Sequence, residues 1–285
     1  MLTKDCCIKI AGEAGQGINV AALSLSRALT RRGLFVFLLT ENPNSIKLEH
    51  AWCSIRVSQE LIYAQSHEVD ILVALDRDSI ERHLRELSPG GIVIYDEEHI
   101  VVDAQDARTD IRYCAVPLER LIQEKGIAPL YRNTVALGAV LALLGEDLSS
   151  MRQIINEEFG RKGDEVVGHN YVALETGFSF VATSCKECIR PAFVGKQQLR
   201  RMFLNGHEAL SAGAIKAGCT FIAAYPMTPG SSILHFLAAQ ETNHSIVVKH
   251  AEDEIAAMNM VVGAGFAGVR AMTATSGGGF CLMTE

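Results

Sequence analysis

Four short stretches hold the residue types from which chemistry can be built. Gly12-Glu13-Ala14-Gly15-Gln16-Gly17 lies between a short apolar run and an amphipathic one, so it reads as a strand-to-helix loop. Glycines there let the backbone approach a phosphate, and the first amides of the helix favour an anion. The spacing is Gly-x-x-Gly-x-Gly rather than the dinucleotide Gly-x-Gly-x-x-Gly, and no Walker lysine follows. A tight turn that needs small residues explains it equally well. Tyr225-Pro226-Met227-Thr228-Pro229 brackets a threonine hydroxyl with two prolines, which fix φ and withhold donors. Behind a strand, that holds Thr228 at the carboxyl edge of a sheet, where open α/β sheets take their ligands. An ordinary proline turn is the bland alternative. Glu252-Asp253-Glu254 heads an otherwise apolar helix. Acids there complement the helix dipole; the sharper reading is that one carboxylate is buried and functional. Small residues follow it, from Ala256 to Gly268, and suit close packing against a backbone or a flat cofactor ring. Thr273-Ala274-Thr275-Ser276-Gly277-Gly278-Gly279 runs from a strand into a loop that can cradle a ligand with its amides, or simply flex.

The other reactive residue types carry less. Cys185-Lys186-Glu187-Cys188 is a paired cysteine spacing without the second pair that a zinc or cluster site needs. The eight cysteines are scattered through apolar segments and read as reduced thiols. The histidines show no metal spacing, and His67, His83 and His99 read as surface residues.

The elements that would position these residues alternate between strand and helix. Strands are predicted at Cys7–Ala11, Phe35–Thr40, Ser54–Ser58, Asp70–Ala74 and Gly91–Tyr95, with helices at Val20–Arg31 and Ser79–Leu87 and a turn at Pro89-Gly90-Gly91. Helices follow at Asn133–Leu144, Ser150–Phe159 and Asn170–Gly177. The order implies a three-layer α/β unit. Thr183–Gln198 loses all periodicity and reads as a linker. A second α/β unit then offers helices at His207–Ala217, Ser231–Gln240 and Ala251–Ala267 and strands at Cys219–Ala224, Ser245–Lys249 and Arg270–Thr275, with Ser231 or Ser232 as a helix cap. Three strands leave an open edge and bare apolar faces, so this unit is expected to be truncated or completed by something else.

Composition narrows the class. The 285 residues are 48% hydrophobic and 21% charged with a net charge of -7, as in a soluble globular protein of two domains. No basic stripe invites nucleic acid. The N-terminus has no signal-peptide pattern, and the longest apolar run, Val135–Leu144, is a buried helix rather than a membrane span. The expected location is the cytoplasm.

Taken in order, Phe221–Ser232, His250–Ala257 and Ala271–Gly277 resemble the pyrimidine-binding domain of the 2-oxoacid:ferredoxin oxidoreductases, which typically reads Tyr-Pro-Ile-Thr-Pro, Glu-Asp-Glu-Ile-Ala and Ala-Thr-Ser-Gly-Pro-Gly. Ile10–Gly17 and Leu87–Asp96 resemble the gamma domain of the same family, and gamma fused ahead of alpha is the layout of its 2-oxoglutarate type. The resemblance implies a Rossmann-like three-layer gamma domain over residues 1–182, a linker over 183–200, and the first, incomplete part of a thiamine-diphosphate-binding α/β domain over 201–285. It implies oxidative decarboxylation of a 2-oxo acid such as pyruvate or 2-oxoglutarate to an acyl-CoA, with electrons to ferredoxin. Thiamine diphosphate would be shared with a beta subunit carrying Mg2+ and an iron–sulfur cluster, coenzyme A would be the co-substrate, and this chain alone would be inactive in a hetero-oligomer that needs neither nucleic acid nor membrane. Glu254 matches the glutamate that meets the aminopyrimidine ring, Thr228 a threonine that touches substrate, and Tyr225, Pro226, Thr275, Ser276 and Gly277 the cofactor-lining positions. Gly15, Gln16 and Gly17 are the matching coenzyme A contacts. Two departures stand out: Lys47-Leu48-Glu49 replaces an Arg-Gly-Gly, which weakens anion binding there, and Gly278 replaces the proline of Ser-Gly-Pro-Gly. The alternative is a degenerate gamma-like binding or assembly module without catalysis of its own.

Overall fold

The computed structural model describes residues 5–41, 50–102, 107–189, 193 and 201–285. The chain divides into two compact units, Met1–Phe203 and Leu204–Glu285. The departure at Lys47-Leu48-Glu49 and most of the expected linker lie outside the described residues.

The first unit runs β1 (Asp5–Glu13), α1 (Ile18–Arg31), β2 (Phe35–Glu41), β3 (His50–Ser58), β4 (Val69–Ala74), α2 (Arg77–His83), β5 (Leu87–Tyr95), β6 (Arg112–Ala115), α3 (Leu118–Gln123), α4 (Arg132–Leu144), α5 (Ser149–Phe159) and α6 (Asp164–Ser184). Its sheet has the order β2-β3-β1-β4-β5-β6. The strands β1, β4, β5 and β6 pair in parallel, and β3 pairs antiparallel with both β1 and β2. β1 is buried from Cys6 to Gly12, the continuous burial expected of a strand covered on both faces. Its pleat sends Ile8 and Ile10 into the larger core with α1 and α3 to α6, and Ala11 into a smaller one with Ile80 of α2, which gives the three layers. The apolar run Val135–Leu144 is buried on every side of α4.

Three readings change here. The turn expected at Pro89-Gly90-Gly91 is taken inside β5, as an irregularity opposite Val69–Ile71 in which Gly90 adopts a φ of 81°. The short helix expected at Asn170–Gly177 is the 21-residue α6, whose apolar stripe is interrupted by Gly168, His169 and the buried Asn170. Asn170 keeps its place because its amide donates to the Val166 carbonyl and its Oδ1 accepts from Thr134. Thr183 and Ser184 finish that helix, and Cys185, Cys188 and Phe193 pack into the first core, so the described part of this stretch packs with the first unit.

The second unit runs α7 (Gly206–Lys216), β7 (Phe221–Ala224), α8 (Ser231–Ala238), α9 (Glu241–His244), β8 (Val247–His250), α10 (Glu254–Phe266), β9 (Ala271–Met272) and α11 (Gly277–Leu282). Its sheet is parallel in the order β8-β7-β9. A capping box of Asn205 and Glu208 starts α7. Neither Ser231 nor Ser232 caps α8: Gly230 holds that position in a helical conformation, because the Met227 carbonyl already accepts from the Ser231 amide. α10 is apolar almost throughout, yet only Glu254 and Ala257 are buried along it, while Phe266 is 97% exposed.

Candidate functional site

All three motifs of the second unit lie at the carboxyl ends of its strands. Tyr225–Gly230 follows β7, Ala251–Asp253 follows β8 and Thr273–Ser276 follows β9. Ala224 ends β7 opposite His250, and its carbonyl accepts from the Ala251 amide at 3.1 Å, which draws the first two loops together. The three acids divide their roles. Glu252 is exposed. Asp253 caps α10, its Oδ1 accepting from the Ala256 amide at 2.7 Å. That fixes the start of the helix so that Glu254 and Ala257, three residues apart, share its inner face. Glu254 is 3% exposed, and its Oε1 is buried without a hydrogen-bond partner. A carboxyl oxygen held that way lacks a donor that the described residues do not supply.

The loop after β9 closes on the same carboxyl. A Cβ built on Gly279 would stand 2.5 Å from Glu254 Cγ and 2.1 Å from Thr275 Oγ1, so Gly279, Thr275 and Glu254 converge. The turn after β7 comes in from the other side. A Cβ on Gly230 would meet the Thr275 amide nitrogen at 3.2 Å, and Thr275 Oγ1 lies 4.0 Å from Met227 Sδ. Thr273 Oγ1 is a further buried oxygen without a partner. Of the other positions singled out in the sequence, Thr228 is exposed on its turn, before a cis peptide bond to Pro229, and makes no hydrogen bond among the described residues. Tyr225 is half-exposed, Ser276 precedes α11 without capping it, and Gly277 is exposed. Met227, Thr273 and Gly279 were not singled out, since no pattern separates them from their neighbours.

Gly15, Gln16 and Gly17 line a cavity of about 630 Å³ inside the first unit. Gly15 and Gly17 have φ of 96° and 79°, so the turn itself requires glycine. Asn133, at the start of α4, donates from Nδ2 to the Gln16 carbonyl at 2.5 Å and ties the loop to the opposite wall. The walls are largely apolar, from Val20, Leu137, Met151 and Ile155, with Arg132 and Lys162 as cations. Glu119 pairs with Arg132 at 3.2 Å. α1 begins at the cavity with no acidic residue in its first turn, so the positive end of its dipole is not offset by a carboxylate of its own.

Buried charge is handled differently under α2. Lys9 reaches Glu86 and stands 3.3 Å from His83 Nδ1 and 4.1 Å from the centre of the Trp52 ring. His83 Nδ1 lies 2.8 Å from Glu86 Oε1, and His83 Nε2 lies 2.8 Å from His50 Nε2. His83 is therefore a buried residue, not a surface one: it falls three positions after Ile80 on the inner face of α2. His67 and His99 are exposed. Burial holds both His50 and His83 below the usual imidazole range. It opposes ionisation of Glu86, but hydrogen bonds from Lys9 and His83 bring that carboxyl below its usual range.

All eight cysteines are free thiols, and seven are buried. Burial pushes the Cys6, Cys7, Cys53 and Cys114 thiols up. Cys185 of the paired spacing meets Cys114, Sγ to Sγ, at 3.0 Å. Among the described residues no group of three or more His, Cys, Asp or Glu can hold a metal ion, and no helix is long and apolar enough to cross a membrane.

Comparison with known proteins covers both units. The family model described as pyruvate ferredoxin/flavodoxin oxidoreductase matches residues 7–180, and that described as pyruvate flavodoxin/ferredoxin oxidoreductase, thiamine diphosphate-binding, matches residues 212–285. The alpha subunit of 2-oxoacid:ferredoxin oxidoreductase 1 from Sulfurisphaera tokodaii is 27% identical over 328 residues, a match that takes in 97% of this chain and 51% of that protein. The 2-oxoglutarate synthase subunit KorA of Methanothermobacter thermautotrophicus is 49% identical over 83 residues, 29% of this chain and 22% of that protein. Among solved structures, the 2-oxoglutarate:ferredoxin oxidoreductase of Magnetococcus marinus, with 2-oxoglutarate, coenzyme A and succinyl-CoA bound, superposes with a TM-score of 0.84 at 30% identity, over 99% of this chain and 49% of that one. The chain spans about half the length of the curated relatives that it matches along its whole course.

Proposed function

Because the chain belongs to the pyruvate ferredoxin/flavodoxin oxidoreductase family, we propose that it is alpha-subunit material of a 2-oxoacid:ferredoxin oxidoreductase that turns a 2-oxo acid into its acyl-CoA. The observation that carries this reading is Glu254: a buried carboxyl with an unpartnered oxygen, at the carboxyl edge of a parallel sheet, inside the stretch matched by a thiamine-diphosphate-binding family model. The residues present fit that cofactor, since Glu254 Oε1 is a buried acceptor whose hydrogen bond the described residues leave unmade. When bound, thiamine diphosphate supplies a carbon nucleophile for the 2-oxo carbonyl and takes up the electron pair that decarboxylation leaves.

The chain's own part is to hold and position. Glu254 would hold the ring of the bound cofactor through its buried Oε1, and its carboxyl would serve as the acid–base partner of the ring nitrogen. Thr228 offers its hydroxyl to the substrate from a turn stiffened by Pro226 and Pro229, and Tyr225, Thr275, Ser276 and Gly277 border the cofactor. A separate beta subunit contributes the diphosphate and Mg2+ site and an iron–sulfur cluster that passes electrons singly to ferredoxin. Coenzyme A meets the first unit at Gly15, Gln16 and Gly17, a reading supported by the cavity beside that loop and by the lack of an acidic residue in the first turn of α1. The protein works in the cytoplasm as a hetero-oligomer.

The test is reduction of a low-potential dye, dependent on a 2-oxo acid and coenzyme A, by this chain assembled with its candidate beta subunit. Turnover is expected when the chain, extended to the length of its relatives, is paired with that subunit, and none from the chain alone. Glu254→Gln should lower kcat by about 100-fold or more, the scale of a lost acid–base contact. Full activity of that variant would overturn the role of Glu254. The same cavity supports a second reading, a module that holds an acyl-CoA without catalysis. In that case a coenzyme A analogue binds normally to a chain in which Glu254→Gln is silent.

A further inference from the structure

We propose that Gly279 is a positioning residue for Glu254, and that it alone among Gly277, Gly278 and Gly279 must remain glycine for the site to work. This deepens the reading above and rests on it. The three glycines look alike in sequence, and none of them has a positive φ, so backbone conformation does not distinguish them. Space does. A Cβ on Gly277 meets nothing within 4 Å, and one on Gly278 meets only Met227 Cε, at 3.9 Å. A Cβ on Gly279 would lie 2.1 Å from Thr275 Oγ1, 2.5 Å from Glu254 Cγ and 2.6 Å from Glu254 Oε1. Real Cβ contacts do not come that close, so something has to move.

What moves is decided by which atoms are hit. A clash with Oε1 alone is relieved by turning the carboxyl about its last bond. The clash with Cγ is not, because that atom is fixed by the first side-chain torsion of a residue in the opening turn of α10, where rotamers are few. Glu254 must change rotamer and carry its carboxyl away from the place where Oε1 now lies buried and unpartnered. Thr275 must rotate its hydroxyl as well. The bare Cα of Gly279, itself buried, is thus the floor on which the Glu254 side chain lies.

The experiment compares Gly279→Ala with Gly278→Ala and Glu254→Gln, each in the chain assembled with its partner subunit. Three quantities are read: thiamine diphosphate affinity by calorimetry, hydrogen–deuterium exchange at the reactive thiazolium carbon of the bound cofactor, and kcat against KM for the 2-oxo acid. Gly278→Ala should stay within about twofold of the parent throughout, as an uncrowded surface substitution does. Gly279→Ala should slow carbon exchange and lower kcat by about 100-fold, the effect of displacing a catalytic group by about an ångström, while KM moves little. If Glu254→Gln is crippled and Gly279→Ala behaves like Gly278→Ala, the positioning role is overturned and the role of Glu254 stands. If Glu254→Gln itself exchanges and turns over normally, the underlying reading has failed instead. Should Gly279→Ala prevent folding, its thermal shift is measured again beside Glu254→Ala and Thr275→Ala together, which remove the three atoms that the added methyl meets first. Recovery of the parent Tm supports the steric account, and continued unfolding overturns it.

Discussion

Helices α4 and α10 are each apolar on nearly every side, and they end in opposite situations. α4 buries every residue from Val135 to Leu144, whereas α10 buries two of its residues and leaves Val262 58% and Phe266 97% exposed. Their glycines differ in the same way. A Cβ on Gly138 of α4 would stand 2.1 Å from the Leu174 carbonyl oxygen, and one on Gly177 of α6 2.0 Å from that of Val135, so these two helices touch backbone to backbone. Around Gly263 and Gly265 of α10 there is open space. Buried charge repeats the contrast: Lys9 in the first unit is matched by Glu86, while Glu254 Oε1 in the second has no partner. The α4–α6 pair is closed on itself; α10 keeps its apolar face, and Glu254 its carboxyl oxygen, without cover or partner. An apolar helix sequence therefore states only that a face wants cover, not where the cover is.

The sharpest way to break this comparison is at the α4–α6 seam. Gly177→Ala should cost about 3 kcal/mol or more, because the methyl meets a backbone carbonyl that cannot step aside without separating the helices. Trp52, the single tryptophan, sits in the first unit, so its fluorescence reports the unfolding of that unit alone. An unchanged Tm would mean that the two helices are not in backbone contact.

Next in size is the buried charge. Lys9→Met removes one of the two partners of Glu86, leaving His83, and should cost about 2 kcal/mol by the same fluorescence, a figure reduced because Glu86 is about one-third exposed. Glu254→Gln is the counter-case: it removes no partner, so the fold should be as stable as the parent or slightly more so while activity falls. A large loss of stability from Glu254→Gln would show that its carboxyl serves the fold.

These effects also mark what could be read from sequence. The α/β alternation was legible because most strands are short apolar runs closed by glycine or charge, and Phe35–Glu41 and Val69–Ala74 form within a residue or so of where they were expected. β6 escaped: Arg112–Ala115 is a four-residue edge strand with one buried position, too short to show a period. The strand at Arg270–Thr275 shrinks to Ala271–Met272 because its last residues leave the ladder to form the loop beside Glu254. Glu254 itself was legible from order and resemblance, but its burial is set by the Asp253 cap, which turns one acid inward and leaves Glu252 outside. The Lys9–His83–Glu86 cluster was invisible, since the residues come from β1, α2 and the turn after it and only the fold brings them together.

That cluster gives the first unit an acid sensitivity of known sign. His50 and His83 are held neutral by burial, helped by the nearby cations Lys9 and Arg82 and opposed by Asp76, Asp78 and Glu86. Their folded values lie below the ordinary one of about 6.5, so the unfolded chain binds protons first as pH falls. Stability is complete above that value and is lost as pH drops through it toward the folded values. Glu86, depressed, adds stability above its ordinary carboxyl value and loses it only on further acidification. A plot of Trp52-detected Tm against pH should fall from about pH 7 to about pH 5, and His83→Gln should flatten it. A flat parent curve would mean that folding does not shift either imidazole from its ordinary value.

The smallest effect tests the open side of the comparison. Gly263→Ala and Gly265→Ala place methyls in empty space on a helix interior, where alanine is favoured over glycine by about 0.8–1 kcal/mol. Neither glycine has a positive φ, so the backbone accepts the change. In the isolated chain both should slow amide exchange over Glu254–Phe266, because a tighter α10 opens less often. The informative arm is the assembly with the beta subunit. If the same substitutions there weaken association or turnover, the slimness of α10 serves a neighbour that approaches as closely as α6 approaches α4, and the second unit is open because its counterpart is elsewhere. If they are as benign in the assembly as in the chain alone, the glycines answer to no packing partner, and the likeness between the two helices goes no further than their hydrophobicity.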